Sequence, residues 1–327
     1  MNSRERILAV LSLKEPDQVP FADTVEHSVK EKLMGRRGFT ETEFARALGL
    51  DAVGIDDYAA PIFCRTQESR GREYVVDGLI KRERDMNLMN FPSTKDDCFY
   101  DSAKRFVDQH SNDGLGRYAK CRWGISGVLY SMGVTGLAYA LYDHPGLVEK
   151  ILDRYVEWNC AVMERLNPMG FDFIMDYDNI AFKNGPFVSP QVFREVFIPR
   201  IKLVANVCKL PWVFHGDGDL RMILDDLLTL GMNCIHPIEP PCMNMLEMKF
   251  KYGRRVCLWG NIDLNTLAYA QPEEVKEEVK QRIKEAGQDG GYILGSANSL
   301  PDYGRIENIW AMARAVKLYG QYPLHLD

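Results

Sequence analysis

Short apolar segments alternate along the chain with longer segments whose apolar residues recur at helical spacing. The short segments are rich in β-branched and aromatic residues, which is typical of buried strands. Eight of them are predicted strands: 19–23, 51–55, 118–124, 171–176, 212–215, 234–238, 255–260 and 291–295. Strands that alternate with helices over 327 residues predict an α/β fold, a single (β/α)₈ TIM-type barrel. An open doubly wound sheet is the alternative that this pattern leaves open.

Two of the helical segments have clear end signals. Residues 272–287, "PEEVKEEVKQRIKEAG", open with proline and glutamates and close with basic residues and a glycine. Residues 305–320, "RIENIWAMARAVKLYG", also end on a glycine. Both segments are therefore predicted helices.

We expect one domain over residues 1–327, because the chain contains no linker and no low-complexity tract. The barrel pattern is interrupted around residues 70–113. There the sequence from residue 71, "GREYVVDGLIKRERD", predicts a β-hairpin with its turn at Asp77 and Gly78. We expect this hairpin to be inserted into a connection between a strand and a helix.

Composition and charge exclude several classes of partner. The chain is 46% hydrophobic and 26% charged with a net charge of −6, so no basic face for nucleic acid or an anionic membrane is expected. No apolar segment approaches the roughly 18 residues that span a bilayer. The N-terminal apolar segment is too short for a signal peptide and predicts a surface helix. The eight cysteines form no CxxC pair, which predicts reduced thiols and a cytoplasmic protein.

Polar residues that follow the predicted strands are the candidates for chemistry, because a barrel forms its active site at the carboxyl ends of its strands. The residues predicted to take part in catalysis are Asp57, Asp176, His236 and Glu239. The residues predicted to bind substrate are Tyr58, Trp123, Tyr177, Asn261, Ser296 and Asn298. They come from different strands, so their convergence on one mouth indicates a site. For His236 the alternative is a hydrogen-bonded core histidine.

The segment 214–219, "FHGDGD", is the strongest candidate for a metal site. His215 and Asp217 are two residues apart at a strand end, so their side chains can point to the same side, and the glycines permit a tight turn. Imidazole and carboxylate suit zinc, and the extended "HPIEPP" carries Glu239 to the mouth as a third ligand. We therefore predict a metal site at His215, Asp217 and Glu239. Asp219 is predicted to cap the following helix, and a plain turn with a helix cap is the alternative.

Four long segments carry a further signal: "FDFIMDYDNIAFKNGPFVSPQVFREVFIPRIKLV", "VFHGDGDLRMILDDLLTLGMNCIHPIEP", "LWGNIDLNTL" and "GYILGSANSLPDYGRIENIWAMARAVKLYG". They resemble the uroporphyrinogen decarboxylase superfamily. The N-terminal "NSRERILAVLSLKEPDQVPF" is similar to the opening helix and strand of that superfamily. The resemblance covers most of the chain, is weakest over residues 60–115, and implies a (β/α)₈ barrel. It also implies either cofactor-free decarboxylation of uroporphyrinogen or methyl exchange with a corrinoid protein, usually through zinc.

The decarboxylase members carry an arginine-rich segment after the first strand that grips the carboxylates of the substrate. Here the same region, residues 21–32, reads "FADTVEHSVKEK" and contains acidic residues and a histidine instead. An acidic mouth would repel a polycarboxylate. Asp57 resembles the essential aspartate of those enzymes, so a cofactor-free decarboxylase of a uroporphyrinogen-like polycarboxylate is the alternative function.

The methyltransferase members place His-x-Cys after strand five and a second cysteine after strand eight. Here the first pair is His215 and Asp217, and the second position falls near Ala297 or Asn298. Oxygen ligands make zinc more Lewis-acidic than thiolates do, which suits an ether oxygen as the leaving group. The resemblance therefore implies a zinc-assisted methyltransferase that moves methyl from a small O-methyl or N-methyl donor to a corrinoid protein. Small residues at 295–299 would leave room for the corrin face, and relatives are monomers or homodimers.

Overall fold

The computed structural model describes residues 1–69 and 72–326, in which strands alternate with helices. The strands are β1 Ala52–Ala59, β2 Cys64–Ser69, β3 Arg72–Gly78, β4 Gly116–Arg122, β5 Phe173–Tyr177, β6 Ala181–Phe182, β7 Gly185–Pro186, β8 Trp212–His215, β9 Cys234–His236, β10 Cys257–Trp259 and β11 Tyr292–Ile293. The helices are α1 Ser3–Leu11, α2 His27–Met34, α3 Glu41–Leu48, α4 Asp101–Gln109, α5 Ile125–Met132, α6 Val134–Asp143, α7 Pro145–Leu166, α8 Pro190–Val192, α9 Ile198–Val207, α10 Leu224–Leu228, α11 Met245–Tyr252, α12 Leu264–Tyr269, α13 Pro272–Ala286 and α14 Ile306–Tyr319. Short 3-10 helices cover Glu83–Leu88 and Asp97–Tyr100, and a π turn, Phe193–Phe197, joins α8 to α9.

In the described part of the chain, seven strands form one parallel sheet in the order β1-β4-β5-β8-β9-β10-β11. The segment before β1 takes the eighth position. Ala22 N donates to Leu294 O, and Leu294 N donates to Pro20 O. On the other side of the segment, Asp51 N donates to Phe21 O at 2.7 Å. The isolated bridge between Phe21 and Leu294 and these hydrogen bonds stand in place of a continuous strand between the last strand and the first, so the predicted barrel is confirmed.

Two apolar clusters lie on the two sides of the ring of strands. The cluster inside the ring contains alternate strand residues: Ala22, Ala52, Tyr118, Phe173, Met175, Val213, Cys234, Cys257, Trp259 and Ile293. Ile7, Val10 and Leu11 belong to the same cluster, so α1 closes the amino-terminal end of the barrel. The predicted helix is present with Arg4 and Glu5 exposed, and its other face forms the floor of the interior. The larger cluster fills the layer between the strands and the outer helices.

The insertion contains the predicted hairpin, but Asp77 and Gly78 lie in its second strand. β2 and β3 pair antiparallel with Ser69 opposite Arg72, and residues 70 and 71 lie outside the described part of the chain. Gly78 lies in the last pair of the ladder, at the base of the hairpin. A Cβ atom on Gly78 would lie 2.2 Å from the carbonyl oxygen of Ser131. The predicted turn at Asp77 and Gly78 is therefore wrong, since the glycine serves a close backbone contact with α5.

Helices α5 and α6 follow β4 and form a bent pair. Among the described residues, no single helix is long and apolar enough to cross a membrane. These two reach the required length and apolarity only when they are taken together, and they are bent by 100° at the break between them. Val128 and Leu129 of α5 are buried in the layer outside the barrel.

Candidate active site at the barrel mouth

Side-chain alternation decides which residues of each strand reach the interior of the barrel. In β5, Phe173 and Met175 belong to the interior cluster, whereas Ile174 belongs to the outer cluster. Tyr177 therefore points inward and Asp176 points outward. The residues that face inward at the carboxyl ends of the strands are Asp56, Lys120, Tyr177, His215 and His236. These side chains form the floor of the mouth.

Two of the cavities at the mouth meet at Asn298. The smaller one has a volume of about 120 Å³ and is lined by Thr24, Asp56, Lys120, Met175, Tyr177, His215, Asn298 and Ser299. The larger one has a volume of about 480 Å³, and its polar lining residues are Lys183, Asp217, Glu239, Asp263, Asn265, Asn298 and Tyr303. A further cavity of about 280 Å³ shares Thr24, Asp56 and Lys120 with the smaller one. The mouth is therefore a polar cleft in which small ligands can contact residues of several strands.

His215 and His236 form a pair whose Nδ1 atoms lie 2.6 Å apart. One ring must donate and the other accept at this contact. Burial, with a smaller contribution from the charge of Lys120, lowers the pKa of His215 to about 4. Burial and the neighbouring imidazole hold the pKa of His236 well below its usual value. Both rings are therefore neutral near pH 7, and the pair holds His215 with its Nε2 atom 3.9 Å from Asp217 Oδ1.

A side-chain amide holds Asp217 at the mouth. Asn298 Nδ2 donates to both carboxylate oxygens of Asp217 at 2.9 Å. Glu239 lies beside it and accepts from Gly218 N at 2.8 Å. Burial and the charge of Glu239 raise the pKa of Asp217 to about 6. Gly218 has a φ of +88°, and a Cβ atom there would lie 2.6 Å from the Phe182 carbonyl oxygen, so glycine is required where the two carboxylates come together.

The predicted metal ligands His215, Asp217 and Glu239 lie near one another but do not form a metal site in this arrangement. Both oxygens of Asp217 accept from Asn298, and Glu239 is bonded to the backbone. Among the described residues, no group of three or more His, Cys, Asp or Glu side chains is close enough to hold a metal ion. Zinc takes three or four protein donors at about 2.0–2.3 Å. The three side chains in their present positions do not fit a zinc ion. Zinc binding by this protein stays a prediction.

Asp56 is the centre of a network that the sequence interpretation missed. Lys120 Nζ donates to Asp56 Oδ2 at 3.4 Å, and Tyr177 Oη donates to Asp56 Oδ1 at 3.3 Å. Arg122 donates to Tyr177 Oη at 3.2 Å, and its guanidinium carbon lies 4.8 Å from the centre of the tyrosine ring. The network brings two cations, a carboxylate and a phenol to one side of the mouth. Strict alternation along β1 and β4 would have identified Asp56 and Lys120 from the sequence.

Three of the predicted residues from the ends of β1 and β4 lie away from the mouth cavities. Asp57 is exposed and lines none of the three cavities described above. Tyr58 is buried in the outer layer, where its hydroxyl lies 3.0 Å from Ser102 Oγ. Trp123 is buried against Trp212, with ring centres 4.5 Å apart. Their predicted roles are at odds with these positions. Asp57 and Trp123 each follow an inward-facing residue directly, and Tyr58 lies after a register shift in β1 between Ile55 and Tyr58.

Asp176 also faces the outer layer and is 1% exposed. Its Oδ1 accepts from Trp123 N at 2.9 Å, and its Oδ2 has no hydrogen-bond partner among the described residues. Burial, followed by the charge of Asp178, raises the pKa of Asp176 well above its usual value. Asp178 accepts from three consecutive backbone N–H groups at the start of α5. Both aspartates tie the end of β5 to its neighbours, which does not support the predicted catalytic role of Asp176.

Asn261 and Ser296 are buried and bind other loops. Asn261 Nδ2 donates to Ile238 O at 2.6 Å. Ser296 donates through N and Oγ to the two carboxylate oxygens of Asp23, at 2.7 and 2.9 Å. Burial raises the pKa of Asp23 to about 7 in spite of these hydrogen bonds. The two predicted substrate ligands therefore hold the barrel rim together.

The small residues at 295–299 serve packing as well as the mouth. A Cβ atom on Gly295 would lie 2.6 Å from both Trp259 Nε1 and the Ala22 carbonyl oxygen. Of this segment, only Ala297, Asn298 and Ser299 line the mouth cavities described above. Space for the face of a corrin ring at this segment stays a prediction. Within the segment, it could involve only Ala297, Asn298 and Ser299.

Asp219 makes a local turn and caps no helix. Its carboxylate accepts from Arg221 N at 3.1 Å and pairs with the Arg221 guanidinium at 2.8 Å, which lowers the pKa of Asp219. Helix α10 begins only at Leu224. The predicted helix cap is wrong because the residues between the turn and α10 are not yet helical.

A family comparison covers the strands that carry this site. The model of the uroporphyrinogen decarboxylase (URO-D) family matches residues 114–319, from the strand before Trp123 to beyond Asn298. The chain belongs to this family. The match is longer than half of the chain and includes the His215–His236 pair. The predicted resemblance to this family is therefore confirmed.

Curated relatives are about a quarter identical to the chain over the parts that align. Uroporphyrinogen decarboxylase from Chlorobaculum tepidum is 25% identical over 170 residues, which cover 50% of this chain and 46% of the relative. Uroporphyrinogen decarboxylase from Actinobacillus succinogenes is 23% identical over 198 residues, which cover 58% of this chain and 54% of the relative. The chain therefore spans about half the length of the curated relatives that it matches.

Solved structures match over almost the whole chain. A methyltransferase from Methanosarcina mazei superposes with a TM-score of 0.78 at 18% identity, covering 98% of this chain and 99% of that one. A B12-independent methionine synthase from a Shewanella species superposes with a TM-score of 0.54 at 14% identity, covering 93% and 95% of the two chains. At these identities the likeness establishes the fold, which is the barrel described above.

Proposed function

We propose that the protein is a methyltransferase that takes a methyl group from a small O-methyl or N-methyl donor and passes it to the corrinoid of a partner protein. One observation carries the proposal: His215, Asp217 and Asn298 form a polar row where the two mouth cavities meet. A donor bound in the cleft would place its leaving atom against this row. The full-length similarity to a protein named as a methyltransferase supports the choice.

The chemistry requires a proton at the leaving atom. When the acceptor nucleophile attacks the methyl carbon, the C–O bond breaks and its electron pair stays on the oxygen. Asp217 lies in the cleft next to Glu239, and its raised pKa lets it hold a proton that it donates to this oxygen. The donor then leaves as an alcohol or a phenol, and an N-methyl donor leaves as the amine. The reduced corrinoid is the methyl acceptor and supplies the electron pair of the new bond.

Neighbouring side chains orient this acid and the donor. Asn298 fixes both oxygens of Asp217, and the neutral His215 ring beside it is held by His236. Lys120 and Tyr177 present an ammonium and a phenol on the wall of the smaller cavity, where they can bind polar groups on the body of the donor. Positioning of this kind lowers the barrier because the reacting atoms meet in one geometry.

The proposed step uses no metal. Zinc at His215, Asp217 and Glu239 would supply Lewis-acid activation of the leaving oxygen, but the present arrangement of those side chains does not fit it. Elemental analysis of the purified protein tests this part directly. One zinc per chain that disappears in the Asp217→Ala variant would contradict proton donation by Asp217 and restore the metal site.

The activity is tested by anaerobic incubation with free reduced cobalamin as the acceptor probe and a panel of methoxyaromatic compounds and methylamines as donors. Formation of the methyl–cobalt bond is followed by absorbance. We expect at least one donor to give turnover with the native protein and much slower turnover with Asp217→Asn. Absence of methyl transfer from every donor, to free cobalamin and to corrinoid proteins alike, would overturn the proposal.

A cofactor-free decarboxylase of a uroporphyrinogen-like polycarboxylate is the second candidate, favoured by the names of the curated relatives. The mouth argues against it, because the two cavities that meet at Asn298 contain two lysines against four carboxylates. The lysines are Lys120 and Lys183, and the carboxylates are Asp56, Asp217, Glu239 and Asp263. A saturable absorbance shift on titration with a polycarboxylate porphyrin would favour this candidate over methyl transfer.

A further inference from the structure

A second large cavity lies at the amino-terminal end of the barrel, away from the mouth. It has a volume of about 480 Å³ and is formed by the end of α3, the carboxyl-terminal half of α14 and the start of α1. It shares no lining residue with the two cavities that meet at Asn298. Its volume is within the range of about 300–1,000 Å³ that is usual for small-molecule sites.

Basic side chains outnumber acidic ones in this cavity, although the whole chain has a net charge of −6. The basic lining residues are Arg6, Arg46, Arg314 and Lys317, and the acidic ones are Asp51 and Asp113. The acidic pair is already engaged within the protein. Asp51 accepts from Arg6 at 2.6 Å and from a backbone N–H, and Asp113 accepts from His110 at 2.6 Å and from Thr42 at 2.9 Å.

Three of the basic side chains remain available to a ligand. Arg314 and Lys317 are exposed and form no ion pair among the described residues, and Arg46 donates only to the Asp113 carbonyl oxygen at 3.5 Å. Arg46 and Lys317 lie in the last turns of their helices, where the helix dipole favours a cation in any case. That effect explains neither Arg314 nor the convergence of all three on one cavity.

An aromatic ring lies beside these cations. Trp310 is half-buried in the wall of the cavity and is four residues before Arg314 and seven before Lys317 on α14. This spacing puts the three side chains on one face of the helix. Guanidinium groups bind phosphate through paired hydrogen bonds, and an indole stacks on planar rings.

We propose that this cavity binds an aromatic ring that carries a phosphate group, of the size of a mononucleotide. Arg314, Lys317 and Arg46 contact the phosphate, and Trp310 stacks on the ring. The site is independent of the proposed methyl transfer, so the failure of either proposal leaves the other standing.

The probe is AMP, titrated into the full-length protein by isothermal calorimetry beside inorganic phosphate and adenosine. We expect saturable binding of AMP, with phosphate and adenosine each at least about tenfold weaker. The double variant Arg314→Met/Lys317→Met should weaken AMP binding by about tenfold or more, and Trp310→Leu should bring the affinity for AMP close to that for phosphate. The double variant Arg254→Met/Lys284→Met removes two exposed cations outside the cavity and should bind AMP as the native protein does.

The proposal is overturned by any of three results. The first is no binding of AMP at millimolar concentration. The second is equal binding of AMP and adenosine, which would show that the phosphate is not recognised. The third is native affinity in the Arg314→Met/Lys317→Met variant when circular dichroism shows that it is folded, which would place the nucleotide elsewhere on the protein.

Discussion

The proton on Asp217 is the single-residue feature on which the proposed chemistry depends. Asp217→Asn keeps the shape of the side chain and a hydrogen bond to Asn298 but cannot give up a proton. General acid catalysis contributes about 10²–10⁴-fold, so we expect kcat for methyl transfer to fall by about 100-fold or more while KM changes little. Asp143→Asn, at an exposed position outside the mouth cavities, is the control and should behave as the native protein does. A native kcat in Asp217→Asn would remove the acid from the mechanism.

Asp56 and Asp57 offer a sharp comparison, because adjacent residues of one strand point to opposite sides. Both side chains are exposed, but Asp56 contacts Lys120 and Tyr177 in the smaller cavity, whereas Asp57 lines none of the mouth cavities described above. We expect Asp56→Asn to raise KM for the donor by about tenfold, because the hydrogen bonds from Lys120 and Tyr177 to the carboxylate would be weakened. Asp57→Asn should leave KM within about twofold of the native value. Steady-state kinetics of the two variants decide the point, and the reverse order would mean that the donor binds on the other side of β1.

The same alternation explains how much of the site could be predicted from residue types. His215 and Asp217 stand out in the sequence because an imidazole and a carboxylate end an apolar strand next to glycines. Their placement at the mouth, and that of Tyr177 and Asn298, agrees with the expectation. Proximity to a strand end alone predicts Asp176 and Trp123 as site residues, but a shift of one residue puts them in the outer layer. The same criterion does not identify Lys120, because it lies inside a strand rather than after it.

At the scale of elements, the segment before β1 makes the stability of the fold sensitive to pH. Its Asp23 is bonded to Ser296 after β11, and burial raises the pKa of Asp23 to about 7, against about 3.9 in an unfolded chain. Between about pH 4 and pH 7 the folded state keeps the proton that the unfolded state loses, so stability falls as pH rises through this range. From about pH 5 to pH 8 we expect the unfolding free energy of the native protein to fall by about 2–3 kcal/mol relative to Asp23→Asn.

Urea denaturation of both proteins at a series of pH values measures this difference, and Asp143→Asn is the matched control. An unchanging difference between the native protein and Asp23→Asn would show that Asp23 is ionised in the fold. The difference should change most steeply on the acid side of pH 7, because above that pH the carboxyl is ionised in both states.

The positions of most strands could be predicted from the hydrophobic pattern, because each strand buries alternate residues inside the barrel. The predicted strands 212–215 and 118–124 overlap β8 and β4 closely for this reason. The position of the hairpin turn could not be predicted in the same way. Asp77 and Gly78 have the composition of a turn, and only the tertiary packing shows that Gly78 contacts α5. The segment at 19–23 likewise has strand composition, but its regular pairing is limited to one bridge to Leu294 on one side and one backbone hydrogen bond from Asp51 on the other.

The barrel as a whole could be predicted, because eight strands that alternate with helices over a chain of this length are compatible with few other folds. What the pattern could not show is how the amino-terminal end is closed. The first helix has both charged and apolar positions, as a surface helix does, and only the ring of strands reveals that its apolar face enters the interior. This role makes α1 part of the cooperative unit instead of an appendage.

If α1 is the floor of the barrel, truncation of its buried face must destabilise the whole fold. Ile7 is 0% exposed within the interior cluster, so Ile7→Ala should lower the free energy of unfolding by about 2–5 kcal/mol. Leu246→Ala on α11, where the side chain is 56% exposed, should change it by less than about 0.5 kcal/mol. Urea unfolding followed by tryptophan fluorescence and by circular dichroism should show one shifted transition that is the same for both probes. A native midpoint in Ile7→Ala, or a separate early transition, would mean that α1 detaches without loss of the barrel.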